Sequence, residues 1–409
     1  MRPLLADCPA TLTPCKRPRS QCDDAEEEEL VTMILAYCDH VAQHQAHFAN
    51  LQASCEAVIH CYVKHRGGMQ EIRLFEIPEK PTPDFVFDMD AIDEKQFVHD
   101  FRFSHAQFDR VVLALLSHEL PPVIRTRARD TCPLGEALAM LCMKYAWPTR
   151  LGSMVKLFRS STSRISRIIA QLRRLLYDRF SGALRNPRIL SLPELECFSA
   201  AVTRKSGVCT RVFGFIDATV RPTTKPKHLQ AAVYNGKDRV HALKYHALVI
   251  PNGIIHQLAG PWPGSRHDMH LLSQANLKQH LRELPTDADD RMFSVYADQG
   301  YAESPGIRTP FFDGLINSAH EIHNQVMASS RIAVEWAFGD IIVQWASLDM
   351  RSTQQLLSNR KIGQVYIVAG LLSNLFTCLQ GNRGSKYFGL RPPSLEEYMS
   401  SLKQNNEHQ

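Results

Sequence analysis

Four acids stand in settings that set them apart from the rest of the chain's 42 acidic residues. Asp217 ends the apolar run Val212-Phe213-Gly214-Phe215-Ile216, and Asp268 ends Pro263-Gly264-Ser265-Arg266-His267. Asp298 lies in Val295-Tyr296-Ala297-Asp298-Gln299-Gly300-Tyr301, and Glu335 closes Arg331-Ile332-Ala333-Val334 in a pattern that reads as helix. Carboxylates gathered at one point repel and raise each other's pKa, so they stay ionised only beside a neutralising cation. A donor set made of carboxylate oxygens alone favours Mg²⁺ or Mn²⁺ over zinc. Two such ions about 4 Å apart can activate water or a 3′-hydroxyl and stabilise the leaving oxygen of a phosphodiester. Asp287, Asp289 and Asp290 also crowd together, but they have no strand behind them and read as solvated loop acids.

The surrounding periodicity supplies elements to position these acids. After Pro193 the period reads as strand-like, with a buried strand over Val212 to Thr219 and alternation from His241 to Pro251. Pro251-Asn252-Gly253 is a turn, and Ile254 to Gly260 the returning strand. A helix is expected from His267 to Arg282, a strand over Phe293 to Ala297, and helices over Asn324 to Trp345 and Gln354 to Leu379. The expected class is α/β, and the order matches a ribonuclease H-like domain. In that fold the first and fourth strands are neighbours, which would set Asp217 beside Asp298. Asp268 would start the intervening helix and Glu335 would face the same point from a late one.

The N-terminal half reads as helical. Ser104 caps a helix through Leu115, and a second runs from Leu134 to Tyr145. Between Arg150 and Arg188 many bases and one acid, Asp178, occur. Here Leu151 to Phe158 makes a short helix, Arg159 to Ser161 a turn, and Thr162 to Tyr177 a longer helix. That helix is apolar on Ile165, Ile168, Ile169, Leu172, Leu175 and Leu176, and polar on Ser163, Arg164, Ser166, Arg167, Gln171 and Arg174. A brace helix, a tight turn and a basic second helix form a helix-turn-helix, whose bases Arg159, Arg164, Arg167 and Arg174 would meet DNA. The alternative is an amphipathic hairpin with a solvated basic face. The expected organisation is a disordered tail over 1–28, a helical segment and linker over 29–94, and the helix-turn-helix region over 95–192. The catalytic domain follows over 205–378, then a C-terminal tail over 379–409.

The net charge of +5 says little by itself about a nucleic-acid partner. No uninterrupted apolar run reaches the roughly 18 residues of a spanning helix. Met1 to Pro9 lacks an apolar signal core, so neither membrane insertion nor secretion is expected. The 11 cysteines, an odd number without a CxxC pair, point to reduced thiols inside the cell. Lys16-Arg17-Pro18-Arg19 has the composition of a nuclear-import signal. The His- and Cys-rich stretch 38–65 pairs His40 with His44 and Cys61 with His65 at helical spacing, without a standard zinc pattern.

Five motifs fall in register with one family. They are Phe215-Ile216-Asp217-Ala218-Thr219, Tyr234-Asn235-Gly236-Lys237 with His241 to Tyr245, Pro261 to Asp268, Ala297 to Tyr301, and Arg331 to Gly339. Together they resemble the DDE domain of PIF/Harbinger-type transposases and their domesticated nuclease-like relatives. The 37-residue step from Asp298 to Glu335 fits that family too. The resemblance implies that Asp217, Asp298 and Glu335 form the catalytic core and that Asp268 adds a fourth metal ligand. It implies Mg²⁺ or Mn²⁺ as cofactor, with Lys237, Lys244 and Arg266 available to DNA phosphate. Partners implied are double-stranded DNA (transposon ends or a target), a Myb-like DNA-binding protein and further copies of the chain, in the nucleus or else the cytoplasm. The chain departs from the family's basic run after the glutamate, having Trp336, Asp340, Val343, Gln344 and Trp345 there. That bears on strand transfer more than on metal binding. A domesticated DNA-binding or adaptor protein without cleavage is therefore the competing reading. An RNA-cleaving enzyme is a weaker one, because the helix-turn-helix suits duplex DNA.

Overall fold

The computed structural model describes residues 87–208, 210–311, 318–349, 354–356 and 361–404. The expected tail over 1–28, the basic tetrad at 16–19 and the His/Cys-rich stretch 38–65 lie outside the described residues. The heart of the fold is a mixed sheet. Its longest strand is β3 (Val212–Pro222). On one side β3 pairs antiparallel with β5 (Val240–Val249), which pairs antiparallel with β6 (Ile255–Pro263). On the other side β3 pairs parallel with β7 (Ser294–Tyr296), and β7 with β8 (Ile307–Arg308). A two-residue strand, β4 (Tyr234–Asn235), pairs with the start of β5. Residues 242–249 are buried almost without exception, so this strand is apolar on both faces and must be covered on both.

The covers are helices. Ahead of the sheet come α1 (Glu94–Phe101), α2 (His105–Leu116) and a hairpin of β1 (Val123–Arg125) with β2 (Thr131–Pro133). Then follow α3 (Leu134–Ala146), α4 (Leu151–Phe158), α5 (Thr162–Arg185) and α6 (Leu192–Ser206). Ser104 forms the capping box of α2 with Gln107, as its place in the sequence predicts. Within and after the sheet come α7 (Gln230–Val233), α8 (Asp268–Gln274), α9 (Leu277–Arg282), α10 (Ser318–Gln344) and α11 (Ile362–Gln380). Last are α12 (Arg383–Phe388) and α13 (Leu395–Gln404). Helices α6 and α10 pack on β3, and α5 and α11 on β6. Trp345 joins the helical part to the sheet part: its ring meets Phe103 and Tyr145 while its indole N–H donates to Ser373 Oγ at 3.0 Å.

Several elements differ from the sequence expectation. Residues 192–206 are helical rather than strand-like, begun by a Ser191/Glu194 capping box with Pro193 in the first turn, and the strand period starts only at Val212. Helix α5 runs eight residues past Tyr177, because Phe180, Ala183 and Leu184 continue its buried stripe. The helix expected over 267–282 is two, divided at Asn276, whose left-handed backbone (φ 52) ends the first. Residues 383–404, read as tail, hold α12 and α13, with Phe388, Leu395 and Met399 in the core. Helix α11 is long and apolar enough to cross a membrane, yet two thirds of it is buried inside the fold. Its Asn374 exchanges hydrogen bonds with both backbone groups of Ile255 at 3.0 and 2.9 Å, which makes it a core helix satisfying β6.

Candidate active site

The parallel pairing of β3 with β7 positions the first two acids. The last paired residues are Phe215 and Tyr296, and Asp217 and Asp298 each follow two positions later. Equal steps along neighbouring chain segments, spaced roughly 4.8 Å apart in the sheet, bring the two acids near enough for the charge of Asp298 to act on Asp217. Asp217 Oδ1 accepts from the N–H of Ala218 at 2.8 Å, and Asp298 Oδ1 from that of Gly300 at 2.9 Å. Glu335 arrives from α10, which packs on β3. It is joined to Asp217 by one guanidinium: Arg331 Nη1 donates to Asp217 Oδ2 at 3.0 Å and Nη2 to Glu335 Oε1 at 2.8 Å. Asp268 opens α8 and accepts from Lys244 Nζ at 3.0 Å.

The electrostatics show a crowded anionic site. Burial, reinforced by Asp298 and Glu335, raises the Asp217 carboxyl to about 6 despite the lowering effects of the Ala218 N–H and Arg331. Behind it, Tyr301 is 2% exposed, and its hydroxyl has no hydrogen-bond partner among the described residues. Burial, then the charges of Asp217, Asp268 and Asp298, push that phenol well above its usual range. The ring of His246, fully buried, meets Tyr301 edge-on at 5.9 Å. Burial holds His246 down at about 4, against the pull of Asp268, so it is neutral at pH 7. Sequence reasoning did not single out Tyr301 or His246, nor the role of Arg331. The signal for Arg331 was its place four residues before Glu335, one helical turn away.

All of the donors are carboxylate oxygens, which suits Mg²⁺ or Mn²⁺ in kind. Among the described residues, however, no three His, Cys, Asp or Glu side chains stand together as a group able to hold an ion. In this conformation the cations of the site are Arg331 and Lys244.

The bases proposed to meet DNA divide. Arg159 is exposed in the α4–α5 turn and Arg174 on α5, where it faces Asp178 at 3.3 Å. Arg164 and Arg167 instead turn toward the β1–β2 hairpin. Arg164 donates to the Thr131 carbonyl and to Ser160 Oγ. Arg167 makes a bidentate pair with Asp130 at 2.6 and 3.1 Å. The Asp130 side chain is only 4% exposed, so Arg167→Ala is expected to destabilise the protein by about 2–3 kcal/mol by removing the bidentate partner of a buried carboxylate. Urea unfolding measures this. Lys237 is exposed beyond β4, Arg266 is half-buried ahead of α8, and Lys244 is buried on Asp268.

The span from just before Asp217 into the core helix α11 carries Asp217, Asp268, Asp298 and Glu335. Residues 216–374 match the family model of the DDE superfamily endonucleases. The mixed α/β sheet with its helices is consistent with such a nuclease domain. No curated protein and no solved structure matches the chain. Within the matched span, two residues that break the basic run after Glu335 have partners in α12. Trp336 meets the Tyr387 ring at 5.2 Å, and Asp340 accepts from Arg383 Nε at 2.9 Å. Their types serve to dock α12.

Proposed function

We propose that the chain is a transposase-derived, divalent-metal-dependent DNA nuclease with a ribonuclease H-like sheet and an N-terminal helix-turn-helix. It would hydrolyse phosphodiesters, with strand transfer as a second use of the same site. The observation that carries this reading is the β3–β7 register, which sets Asp217 and Asp298 at equal steps beyond their last paired residues while Glu335 is tied to Asp217. The strand order β6-β5-β3-β7-β8 supports the sheet assignment. Asp217, Asp298 and Glu335 would hold Mg²⁺ or Mn²⁺, with Asp268 as the added ligand. When bound, such ions activate an attacking oxygen and stabilise the leaving one. Asp217 and Glu335 must first give up Arg331, and Asp268 must give up Lys244. Tyr301 and His246 close the site from behind and exclude water there. Lys237 and Arg266 would meet backbone phosphate, Arg159 and Arg174 would meet duplex DNA, and the nucleus would be the setting.

The test is nicking of supercoiled plasmid by the purified full chain, with Mg²⁺ or Mn²⁺ and with EDTA, beside Asp217→Ala and Asp298→Ala. Metal-dependent nicking lost in both variants is the expected result. DNA binding without nicking or metal binding would replace this reading with a DNA-binding adaptor. Metal binding without nicking would direct attention to the DNA ends supplied or to a Myb-like partner.

A further inference from the structure

Next to the acids lies a cavity of about 620 Å³, lined by Ser294 and Tyr296 of β7 and by His323 and Met327 of α10. The same two elements lead on to the acid site. Asp298 follows Tyr296 by two residues, roughly 7 Å along an extended chain. Arg331 and then Glu335 follow Met327 at steps of four, each beside the last on the helix surface. Burial raises the Tyr296 phenol to about 12 and the charge of Arg331 opposes it, so the guanidinium held by the acids also acts on this wall.

The wall is aromatic, and part of it is bare. Phe311 lines the cavity while 42% exposed, so its ring stands at the mouth. It is nonetheless held in place. The Phe311 N–H donates to Asn324 Oδ1 at 2.9 Å, and its carbonyl accepts from Asn324 Nδ2 at 3.0 Å. Its ring stacks on His320 at 4.1 Å and meets His323 edge-on at 5.1 Å, and His323 in turn meets Tyr296 at 6.4 Å. The Tyr296 hydroxyl and His323 Nδ1 are buried and have no hydrogen-bond partner among the described residues. Such atoms cost free energy until something pairs with them. Three guanidiniums reach the cavity, but acids already engage them. Arg211 and Arg291 pair with Asp287 at 2.7 and 3.1 Å, and Arg308 pairs with Glu303 at 2.9 Å. A bare phosphate would gain little from cations so neutralised. A flat, uncharged ring with polar edges suits a fixed phenyl face and two orphaned polar atoms.

We infer that this cavity receives one unstacked nucleobase of the DNA strand whose phosphodiester lies at the acids, with Phe311 stacked on the base and Tyr296 and His323 at its polar edge. The inference rests on the DNA-nuclease reading and deepens it by naming how the strand is held beside the cleavage point. A base inside a duplex is stacked and paired, so the entrant is an unpaired or extruded one. Stacking on Phe311 accepts any base, because each has a π-face, while the two polar atoms distinguish base edges.

The experiment is fluorescence anisotropy of the full chain in EDTA with three labelled DNAs of one length. The first is fully paired, the second has a short central bubble of unpaired nucleotides, and the third has the same bubble built from abasic nucleotides. The two bubbles carry the same phosphate charge and differ only in their bases. Wild type is expected to bind the bubble with bases about 10–100-fold more tightly than the abasic one, the range that base stacking on an aromatic side chain supplies. Phe311→Ala should lose that preference and keep its affinity for the paired duplex within about twofold, which also shows that the variant is folded. Equal wild-type affinity for the two bubbles would overturn the base site alone, and that comparison needs no variant. A preference that survives in Phe311→Ala would overturn its assignment to this cavity. A wild-type chain that binds none of the three DNAs would overturn the DNA reading itself, and this inference with it.

Discussion

Asp217→Asn is expected to abolish metal-dependent cleavage while making the metal-free protein more stable. Loss of activity should reach at least about a hundredfold, exceeding the ~10–100-fold that removal of an outer-shell metal partner costs. The stability gain follows from the carboxyl's raised pKa, about 6 against an ordinary 3.8. Burial comes first among its causes, then Asp298 and Glu335, while the Ala218 N–H and Arg331 oppose them incompletely. A carboxyl raised by folding contributes no penalty below pH 4, where it is protonated in both states. As pH rises from 4 to 6 the unfolded chain ionises first, and stability is lost until the folded group ionises too. Above pH 6 the penalty is complete, about 3 kcal/mol for a shift of this size. Asparagine has no such penalty. Thermal unfolding of both proteins in EDTA should show the Asn variant's advantage growing between pH 4 and 6 and then levelling. An advantage that is flat or reversed across that window would mean Asp217 is not strained by its surroundings. A catalytic acid held at a cost to the fold is the trade expected at an active site.

Gly264→Ala should be the most damaging single methyl near the site. A Cβ there would sit 2.5 Å from the Val233 carbonyl oxygen and 2.7 Å from that of Ala242. Both are backbone atoms, so neither can rotate away. The segment is also pinned, with the Gly264 N–H on the Ala242 carbonyl at 2.9 Å and Ser265 Oγ on that of Ala232 at 2.6 Å. The added methyl must therefore push this stretch off β5, at about 3 kcal/mol, and Asp268 four residues on would move with it. Lys244, which anchors Asp268, lies on the same strand. Gly236→Ala is the matched control, since its Cβ would meet nothing within 4 Å, and it should stay within about 0.5 kcal/mol. Urea unfolding separates the two variants, and equal stabilities would show that the close approach at Gly264 relaxes freely.

Much of the site was legible along the chain because its signals are local. An apolar run delivering an acid reads as a strand, and Asp298 lies just beyond β7 while Asp217 lies inside β3, two residues past its last pairing with β7 and still paired with β5. The step from Glu335 back to Arg331 is one helical turn, legible as a pair but silent about the third partner. Only the tertiary structure decided that Arg331 reaches across to Asp217, 114 residues away, so that a side chain supplies the charge sequence reasoning had assigned to metal alone. The same holds for the basic helix. Counting charges placed Arg164 and Arg167 on its polar face, and helix geometry does put them there. Their direction was decided by a buried acid, Asp130, 37 residues from Arg167 and on an element that three-residue strands announce too weakly to read. Periodicity reports which face a residue occupies, because that depends on its own helix or strand. What a charged group meets on that face depends on segments far off in the chain, and long-range pairing writes no period into the sequence.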